Sequence, residues 1–431
     1  MLYRYLSLMF RFSEQVLIAR RLWVCAGILS IPAGLIALPA SADGWNVYGN
    51  AVLDTEYSDN KRLTIDDPDE GFQTTADIDL NAAKVGRRDE LRLHADYQAV
   101  RYNGIELLND ENNVSLRVSG RHNPSRTVQL GWYGQFDRDT TSNRQPRAGT
   151  QVDENSGFNV DTGLTREQFR TKGYSVGPNV RWQASRNLTF VASYNFRDVD
   201  FPERATDDFN FFDFQQHSGS IQADYALDER HSLSLTGRAS SFESAQRFED
   251  DALNLVVGDV DTDTLGVALG YRFDISKTLY FGVTAGLENV ETSTDFSEFN
   301  TDETEFVYRI FAVSRGETNR LLVSYSRSVE PSGVGRLLQS DLARAVYSYR
   351  IDPRQTFSLR ASFLSNKPIG MVAERLDREF LAFEPSYTYA LNRKVRLGFA
   401  YAYRFRELRV EGSEADNHSI SANIRYQFGR E

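Results

Sequence analysis

The chain has 431 residues, and its 60 acidic residues outnumber its 49 basic ones, which gives a net charge of −11 at neutral pH. This acidic balance argues against a protein that binds the phosphate backbone of nucleic acid. The sequence contains a single cysteine, so a framework of intrachain disulfides is excluded.

Residues 1–42 are predicted to be a cleaved secretory signal peptide. A basic stretch precedes an apolar run from Leu22 to Leu38, and the run is followed by Ala40-Ser41-Ala42. Positive charge, an apolar segment and a small-x-small cleavage site define such signals. The alternative is a membrane anchor helix, but two prolines near the run argue against it. Cleavage before Asp43 would remove the cysteine and leave residues 43–431 as one domain.

From about Asn46 to Phe428, alternating apolar and polar residues predict about eighteen β-strands, with sixteen left open. No convincing stretch has the spacing of an amphipathic helix. The first predicted strand covers 46–57 and the last covers 418–428. Eight hairpins lie between them: 72–84 with 90–102, 112–122 with 126–138, 173–184 with 187–198, 216–227 with 231–241, 263–273 with 278–290, 304–315 with 319–329, 341–351 with 355–364, and 379–391 with 394–406.

Short and long connections are predicted to alternate along the chain. The turns within hairpins are short and rich in Gly, Pro, Asn, Asp and Ser, which supply turn dihedrals or local caps. The connections between hairpins are predicted to be long: 58–71, 103–111, 139–172, 199–215, 242–262, 291–303, 330–340, 365–378 and 407–417. This alternation is typical of an all-β, transmembrane, antiparallel up-and-down β-barrel with periplasmic turns and extracellular loops.

The two faces of each predicted strand differ in chemistry. In Val395–Phe405, large apolar side chains alternate with arginine, glycine and alanine. A charge that faces acyl chains near the membrane midplane costs about 2–4 kcal/mol, so the charged residues are predicted to line a water-filled lumen. The candidate lumen-lining residues are Arg117, Arg197, Arg238, Arg272, Arg360, Arg396, Arg404, Arg425, Asp77, Asp96, Asp224, Glu288 and Glu384.

Two interpretations of these arginines remain open. Guanidinium groups bind carboxylates and phosphates in a bidentate manner, so the lumen could take an acidic solute or polymer. Alternatively, the arginines pair with interior carboxylates and hold the wall in shape, which is the commoner arrangement in large barrels.

The sequence predicts no catalytic, cofactor-binding or metal-binding residues, and hence no enzyme. The five histidines do not form a hydrolase arrangement, because the His217-Ser218 and His231-Ser232 neighbours point to opposite faces of a strand. No zinc spacing, phosphate loop or dinucleotide fingerprint is present. The acidic segment Asp66–Glu70 lacks the ligand spacing of a calcium loop.

Several segments resemble the β-barrel porin 2 family, whose relatives include outer-membrane barrels associated with exosortase (PEP-CTERM) and exopolysaccharide systems. Glu56–Asn60 and Phe72–Leu80 resemble the opening of that family, and Arg327–Arg336 with Gln339–Asp341 is similar to the start of one of its loops. Ile420–Phe428 is similar to the aromatic-ended last strand that the barrel-assembly machinery recognises. The resemblance implies an outer-membrane location, lipid and the assembly machinery as partners, and involvement with extracellular polysaccharide.

Three functions are therefore expected in descending order. The first is a non-enzymatic outer-membrane barrel that assists secretion or surface organisation of an exopolysaccharide. The second is a general or anion-preferring diffusion porin, in which the loop 139–172 folds inward as a constriction. The third is a structural or adhesion barrel without an open channel.

Overall fold

The computed structural model describes residues 44–64, 68–105, 108–140, 168, 170–202, 213–249, 255–295, 300–331, 337–369, 378–408 and 412–429. The chain divides into two units, Met1–Asn46 and Val47–Glu431, and the second is the barrel. The predicted signal peptide, 1–42, lies outside the described residues.

The described residues form eighteen strands and no helix. The strands are β1 Trp45–Ser58, β2 Gly71–Val85, β3 Asp89–Asn103, β4 Glu111–His122, β5 Val128–Thr140, β6 Arg170–Gln183, β7 Leu188–Asp200, β8 Phe214–Ala226, β9 His231–Glu249, β10 Leu255–Asp274, β11 Leu279–Thr294, β12 Thr301–Arg315, β13 Asn319–Pro331, β14 Leu337–Asp352, β15 Gln355–Pro368, β16 Arg378–Ala390, β17 Val395–Leu408 and β18 Ser413–Gly429.

Each strand pairs antiparallel with its neighbour in sequence, and the sheet closes on itself through β1 and β18. The closing ladder runs from Tyr48 opposite Gly429 to Ser58 opposite Ser419. Closure leaves no unpaired sheet edge, which is how barrels satisfy their backbone hydrogen bonds. The prediction of an eighteen-stranded antiparallel barrel is therefore confirmed. No described helix has the length and apolar character needed to cross a membrane.

The eight turns within the predicted hairpins are short and gather at one end of the barrel, the turn end; the opposite end is the loop end. In the turn between β8 and β9, the Asp228 carboxylate accepts hydrogen bonds from the backbone N–H groups of Arg230, at 2.7 Å, and His231, at 2.9 Å. The N–H group of Arg230 contributes most to lowering the pKa of Asp228 below its ordinary value. Asp228 thus caps its turn locally, as expected of aspartate in turns.

At the loop end, the predicted loops are shorter than expected because the strands continue into them. The predicted loop 242–262 is largely strand, since β9 reaches Glu249 and β10 begins at Leu255. Strand residues also take up more than half of 291–303, 330–340 and 407–417, and smaller parts of the other predicted loops. The error has a physical reason. These segments are rich in charged and polar residues and therefore lack the apolar alternation of a half-buried strand. Strand pairing does not require that alternation, because its hydrogen bonds join backbone groups.

The two faces of the barrel sheet differ in exposure and polarity. Large apolar side chains in one phase of the strands, here named the apolar face, are exposed; Leu265 and Leu269 reach 69% and 60%. Phe399 and Ile420 belong to the same face on distant strands. The opposite phase is named the polar face. Because strand side chains alternate, every residue next to an apolar-face residue along a regular strand belongs to the polar face.

Candidate functional site

All the candidate lumen-lining residues lie on the polar face. Residues directly opposite each other across a ladder share a face. For example, Arg238 lies opposite Gly266, which lies opposite Glu288 on the next strand, and Arg396 lies opposite Arg425. Followed from strand to strand, the pairing places all the candidates on this one face: Arg117, Arg197, Arg238, Arg272, Arg360, Arg396, Arg404, Arg425, Asp77, Asp96, Asp224, Glu288 and Glu384. That this face lines a water-filled lumen stays a prediction.

Glu384 is the centre of a buried ion network. Its carboxylate accepts hydrogen bonds from Arg360 at 3.2 Å and from Arg404 at 3.4 Å. Arg404 also lies 3.7 Å from Glu56. The side chains of Glu384 and Arg404 are 4% and 3% exposed. Arg360 and Arg404 therefore pair with carboxylates of the same face, as the second interpretation of the arginines expects.

Replacing Glu384 with alanine is expected to destabilise the barrel. The change removes the acceptor of both guanidinium groups, and losing one partner of a buried pair costs about 3–5 kcal/mol. Glu56 remains near Arg404, so the loss should fall at the lower end of that range. The measurement is the free energy of unfolding in urea with the protein in lipid vesicles. Asp274→Ala removes the exposed partner of Arg272 and should cost less than about 1 kcal/mol; equal losses in the two variants would contradict the network's role.

Other candidate arginines contact acids or aromatic rings. Arg238 lies 3.2 Å from Glu288, and the Arg117 guanidinium lies 4.7 Å from the centre of the Tyr133 ring. A separate set of contacts completes the placement of the candidates: Arg197 over Phe214 at 5.6 Å, Arg272 with Asp274 at 2.9 Å and over Tyr280 at 4.1 Å, Asp77 with Gln98 at 3.3 Å, Asp224 with Gln222 at 2.6 Å, and Asp96 directly opposite Asp79. The candidates thus spread around the ring and do not converge on one centre.

The signs of the charges are segregated around the polar face. In β1–β5, the described polar-face carboxylates form the acidic wall: Asp54, Glu56, Asp77, Asp79, Glu90, Asp96, Glu111, Asp137 and Asp139, against the arginines Arg92, Arg117 and Arg121. In β12–β18, the described polar-face arginines form the basic wall: Arg309, Arg315, Arg320, Arg344, Arg350, Arg360, Arg378, Arg396, Arg404, Arg406 and Arg425, against Glu303, Glu305 and Glu384.

The segregation follows the order of the strands in the chain, so the sequence contained the signal. Sequence reasoning treated the interior charges as one set and missed it. The closed ring determines where the two walls lie in space. In this ring of eighteen strands, β3 and β12 stand nine strands apart. β3 of the acidic wall therefore stands across the barrel from β12, at one edge of the basic wall, and the two walls adjoin where β18 pairs with β1.

The first connection of the loop end, residues 59–64, folds onto the polar face. Leu63 is 1% exposed and packs with Leu364, Phe380, Ala382 and Ala415 of β15, β16 and β18. These partners share the phase of the polar face, so the segment lies over the loop-end portions of these three strands. Its φ of +52° places Leu63 in the left-handed region, which is uncommon for a residue with a side chain.

Polar contacts hold the same segment in place. The Asn60 side-chain amide donates to the backbone oxygens of Thr64 and Asp416, each at 2.9 Å. The Arg406 guanidinium donates to the backbone oxygen of Leu63. Sequence reasoning expected 139–172 to fold inward, but that loop lies largely outside the described residues. The signal for 59–64 was Leu63, which with Ile65 is one of two large apolar residues in the polar predicted loop 58–71.

A recess of about 390 Å³ is lined by residues of β5–β11 and by Val329 of β13. Tyr133, Arg238 and Glu288 line it together with small polar side chains. These are Ser193, Asn195, Ser218, Ser220, Ser240 and Thr264. Glycine at 177 and 266 leaves room there; a Cβ at Gly177 would meet the Tyr133 ring at 2.3 Å. The recess therefore offers neutral hydrogen-bonding groups, the paired Arg238 and Glu288, and an aromatic ring. Sequence reasoning did not identify it.

Among the described residues, no group of three His, Cys, Asp or Glu side chains could hold a metal ion. The described histidines contact mainly tyrosines: Nδ1 of His217 lies 2.7 Å from the Tyr194 hydroxyl, and Nδ1 of His418 lies 2.7 Å from the Tyr401 hydroxyl. Both histidines lie on the apolar face, where such amphipathic rings suit a boundary between water and lipid. The absence of enzymatic activity stays a prediction.

No protein-family model and no curated protein matches the chain. A BenF-like porin from Pseudomonas fluorescens is 10% identical over 89% of this chain and 99% of that chain, with a TM-score of 0.46. The outer membrane channel DcaP of Acinetobacter baumannii is 13% identical over 90% and 99%, with a TM-score of 0.39. The ferric citrate transporter FecA is 9% identical over 84% of this chain, which spans 60% of that chain's length, with a TM-score of 0.46. At such identities the likeness concerns the barrel fold alone.

Proposed function

We propose that this protein is a non-enzymatic outer-membrane channel through which small polar solutes diffuse. The observation that carries the proposal is the division of the closed sheet into an exposed apolar face and a charged polar face. Soluble monomers rarely expose a continuous apolar surface of this extent. In a membrane the same surface meets acyl chains, and the polar face surrounds water.

The proposal assigns partners to particular surfaces. Membrane lipid covers the apolar face, and the barrel-assembly machinery recognises β18, which carries Tyr426 and Phe428 close to its end. The turn end lies in the periplasm and the loop end outside the cell, as in outer-membrane barrels generally. The inward-folded segment 59–64 then narrows the channel near its outer mouth.

Recordings in planar lipid bilayers test this function. Purified protein added to the bilayer is expected to produce stepwise increases in conductance that remain open as a steady current. A water-filled lumen is the physical reason, since ions cross a hydrated pore without shedding their whole hydration shell. Protein that inserts but passes no steady current would contradict the channel and favour the structural or adhesion barrel.

The polar recess favours a second candidate function, a role with extracellular polysaccharide. Hydroxyl and amide groups beside Tyr133 can form hydrogen bonds with sugar hydroxyls while the ring contacts a sugar face. The same recordings discriminate the two functions. A neutral oligosaccharide that binds in the recess would interrupt the current, and Tyr133→Ala would shorten the interruptions. Current that is insensitive to oligosaccharide would leave diffusion of small solutes as the function.

A further inference from the structure

We infer that a basic patch on the outside of the barrel binds the phosphate headgroup of a lipid in the outer leaflet of the membrane. The patch consists of Arg138 on β5 and of Arg170 and Lys172 on β6, all near the loop end and all exposed. The inference rests on the membrane placement in the proposed function and names a ligand for a surface outside the lumen. It does not require an open channel.

The pairing of β5 with β6 brings the three basic residues together. Arg138 lies directly opposite Lys172, and Thr140 lies opposite Arg170 on the next rung of the same face. Directly opposed residues have Cβ atoms about 4.5–5.5 Å apart, and diagonal neighbours are about 7–8 Å apart. Arginine and lysine side chains are longer than these separations, so all three can reach a single phosphate group.

The patch lies at the border of the apolar face. Phe136 and Tyr174 form the rung next to Arg138 and Lys172, two residues, or about 7 Å, further from the loop end. The centres of the two rings are 5.2 Å apart, and Tyr174 is 49% exposed. Aromatic residues of outer-membrane barrels mark the boundary between acyl chains and headgroups. The basic patch therefore stands at the level of the lipid phosphates.

The protein does not supply the anion that this arrangement needs. Among the described residues, Arg138 and Lys172 form no ion pair, although Asp200 lies opposite Lys172 on the neighbouring β7. Like charges that lie directly opposite each other destabilise a sheet. A phosphate between the two side chains would replace this repulsion by charge-assisted hydrogen bonds, which guanidinium forms in a bidentate manner. Arg101 on β3 is excluded from the patch, because Asp110 lies 3.5 Å from it.

A basic patch is exceptional on the outer rim of this acidic protein. On β9–β12, the exposed positions beyond the last large apolar residue of the same face carry carboxylates. These are Glu243, Asp259, Asp261, Asp263, Glu291 and Asp302. Carboxylates repel a lipid phosphate, whereas the patch on β5 and β6 attracts it. The charge pattern therefore directs a phosphorylated lipid to one side of the barrel.

The surroundings of the patch favour a lipid over a free phosphate ion. Below the aromatic pair, the same face continues with Trp132 and Val176, which are 47% and 48% exposed. A lipid whose phosphate contacts the patch can lay its acyl chains along this apolar surface, and burying that surface adds to the binding. A free phosphate ion would use the charged half of the site alone.

Native mass spectrometry of the detergent-solubilised protein tests the inference. The probes are lipid A, which carries phosphates, and the same lipid after removal of its phosphates. Lipid A is expected to bind about tenfold more tightly, because the basic residues attract only the phosphorylated form. Inorganic phosphate at the same concentration as lipid A should not displace it, because it lacks the acyl chains.

The variant that removes the patch is Arg138→Gln with Lys172→Gln. It is expected to bind lipid A as weakly as the form without phosphates. The matched control is Lys84→Gln with Arg88→Gln, which removes one lysine and one arginine that are exposed at the turn end. The control should keep the preference for lipid A. The exchange Arg138→Lys with Lys172→Arg preserves both charges and should keep most of the affinity.

The outcomes separate this inference from the channel function. Equal binding of the two lipids by the unaltered protein overturns the inference, while conductance in planar bilayers would still establish the channel. A preference for lipid A that survives Arg138→Gln with Lys172→Gln also overturns it. If inorganic phosphate displaces lipid A at equal concentration, the patch is a site for free phosphate and the lipid assignment is wrong. Protein that neither inserts into bilayers nor binds lipid A would contradict both proposals.

Discussion

Replacing Leu63 with alanine is expected to release the inward-folded segment 59–64 and to raise the conductance of the channel. Leu63 is 1% exposed and inserts among Leu364, Phe380, Ala382 and Ala415. Truncation of a buried leucine to alanine costs about 2–5 kcal/mol. Most of this loss should destabilise the docked segment and not the barrel, because the strands beneath it keep their own backbone hydrogen bonds. The ratio of docked to released segment should therefore fall more than about tenfold, since 1.4 kcal/mol corresponds to a factor of ten in an equilibrium constant.

The measurement is single-channel conductance in planar bilayers, together with its fluctuations. Leu265→Ala is the matched control, because it is the same change at a residue that is 69% exposed on the apolar face. The control should keep the conductance of the unaltered protein. A second variant, Arg406→Gln, removes the guanidinium that donates to the Leu63 backbone oxygen and should act in the same direction. Unchanged conductance in both Leu63→Ala and Arg406→Gln would contradict a narrowing role for the segment.

Arginine at position 269 is expected to destabilise the protein strongly in lipid. Leu269 is 60% exposed in the middle of the apolar stretch of β10. An arginine that faces acyl chains near the midplane costs about 2–4 kcal/mol, whereas the same residue facing water costs little. The free energy of unfolding in vesicles of defined lipid composition measures the difference.

The control for this change lies one residue away in the ladder. Thr236 lies opposite Ala268 and belongs to the polar face, while Leu235 lies opposite Leu269 on the apolar face. Thr236→Arg should therefore be far less costly than Leu269→Arg. If the two variants lose the same stability, or if Leu269→Arg is neutral in lipid, the assignment of the apolar face to the membrane is wrong.

The sequence predicted the architecture well because the signal is local. A strand alternates its side chains with a period of two, so the face of every charged residue can be read from its immediate neighbours. Arg238, Arg396 and Glu288 were assigned to one face in this way, and the ladders place them there. Turn chemistry is also local, and the eight short turns occur where Gly, Pro, Asn, Asp and Ser predicted them.

Strand ends and loops could not be predicted as well, because their positions depend on distant residues. The extension of β9 to Glu249 depends on its pairing with β10. The burial of Leu63 depends on side chains that are about 300 or more residues further along the chain. The recess on β5–β11 combines small polar residues from several strands. None of these features produces a sequence pattern within a single strand from which it could be predicted.

The amino-acid sequence by itself predicted about eighteen strands, with sixteen left open, and it determined their two chemical faces and the alternating order of turns and loops, because each follows from residues close together in the chain. Only the tertiary structure decided which strands stand across from each other, where segment 59–64 docks and how the recess is lined. Those features arise when the sheet closes and brings distant residues within contact.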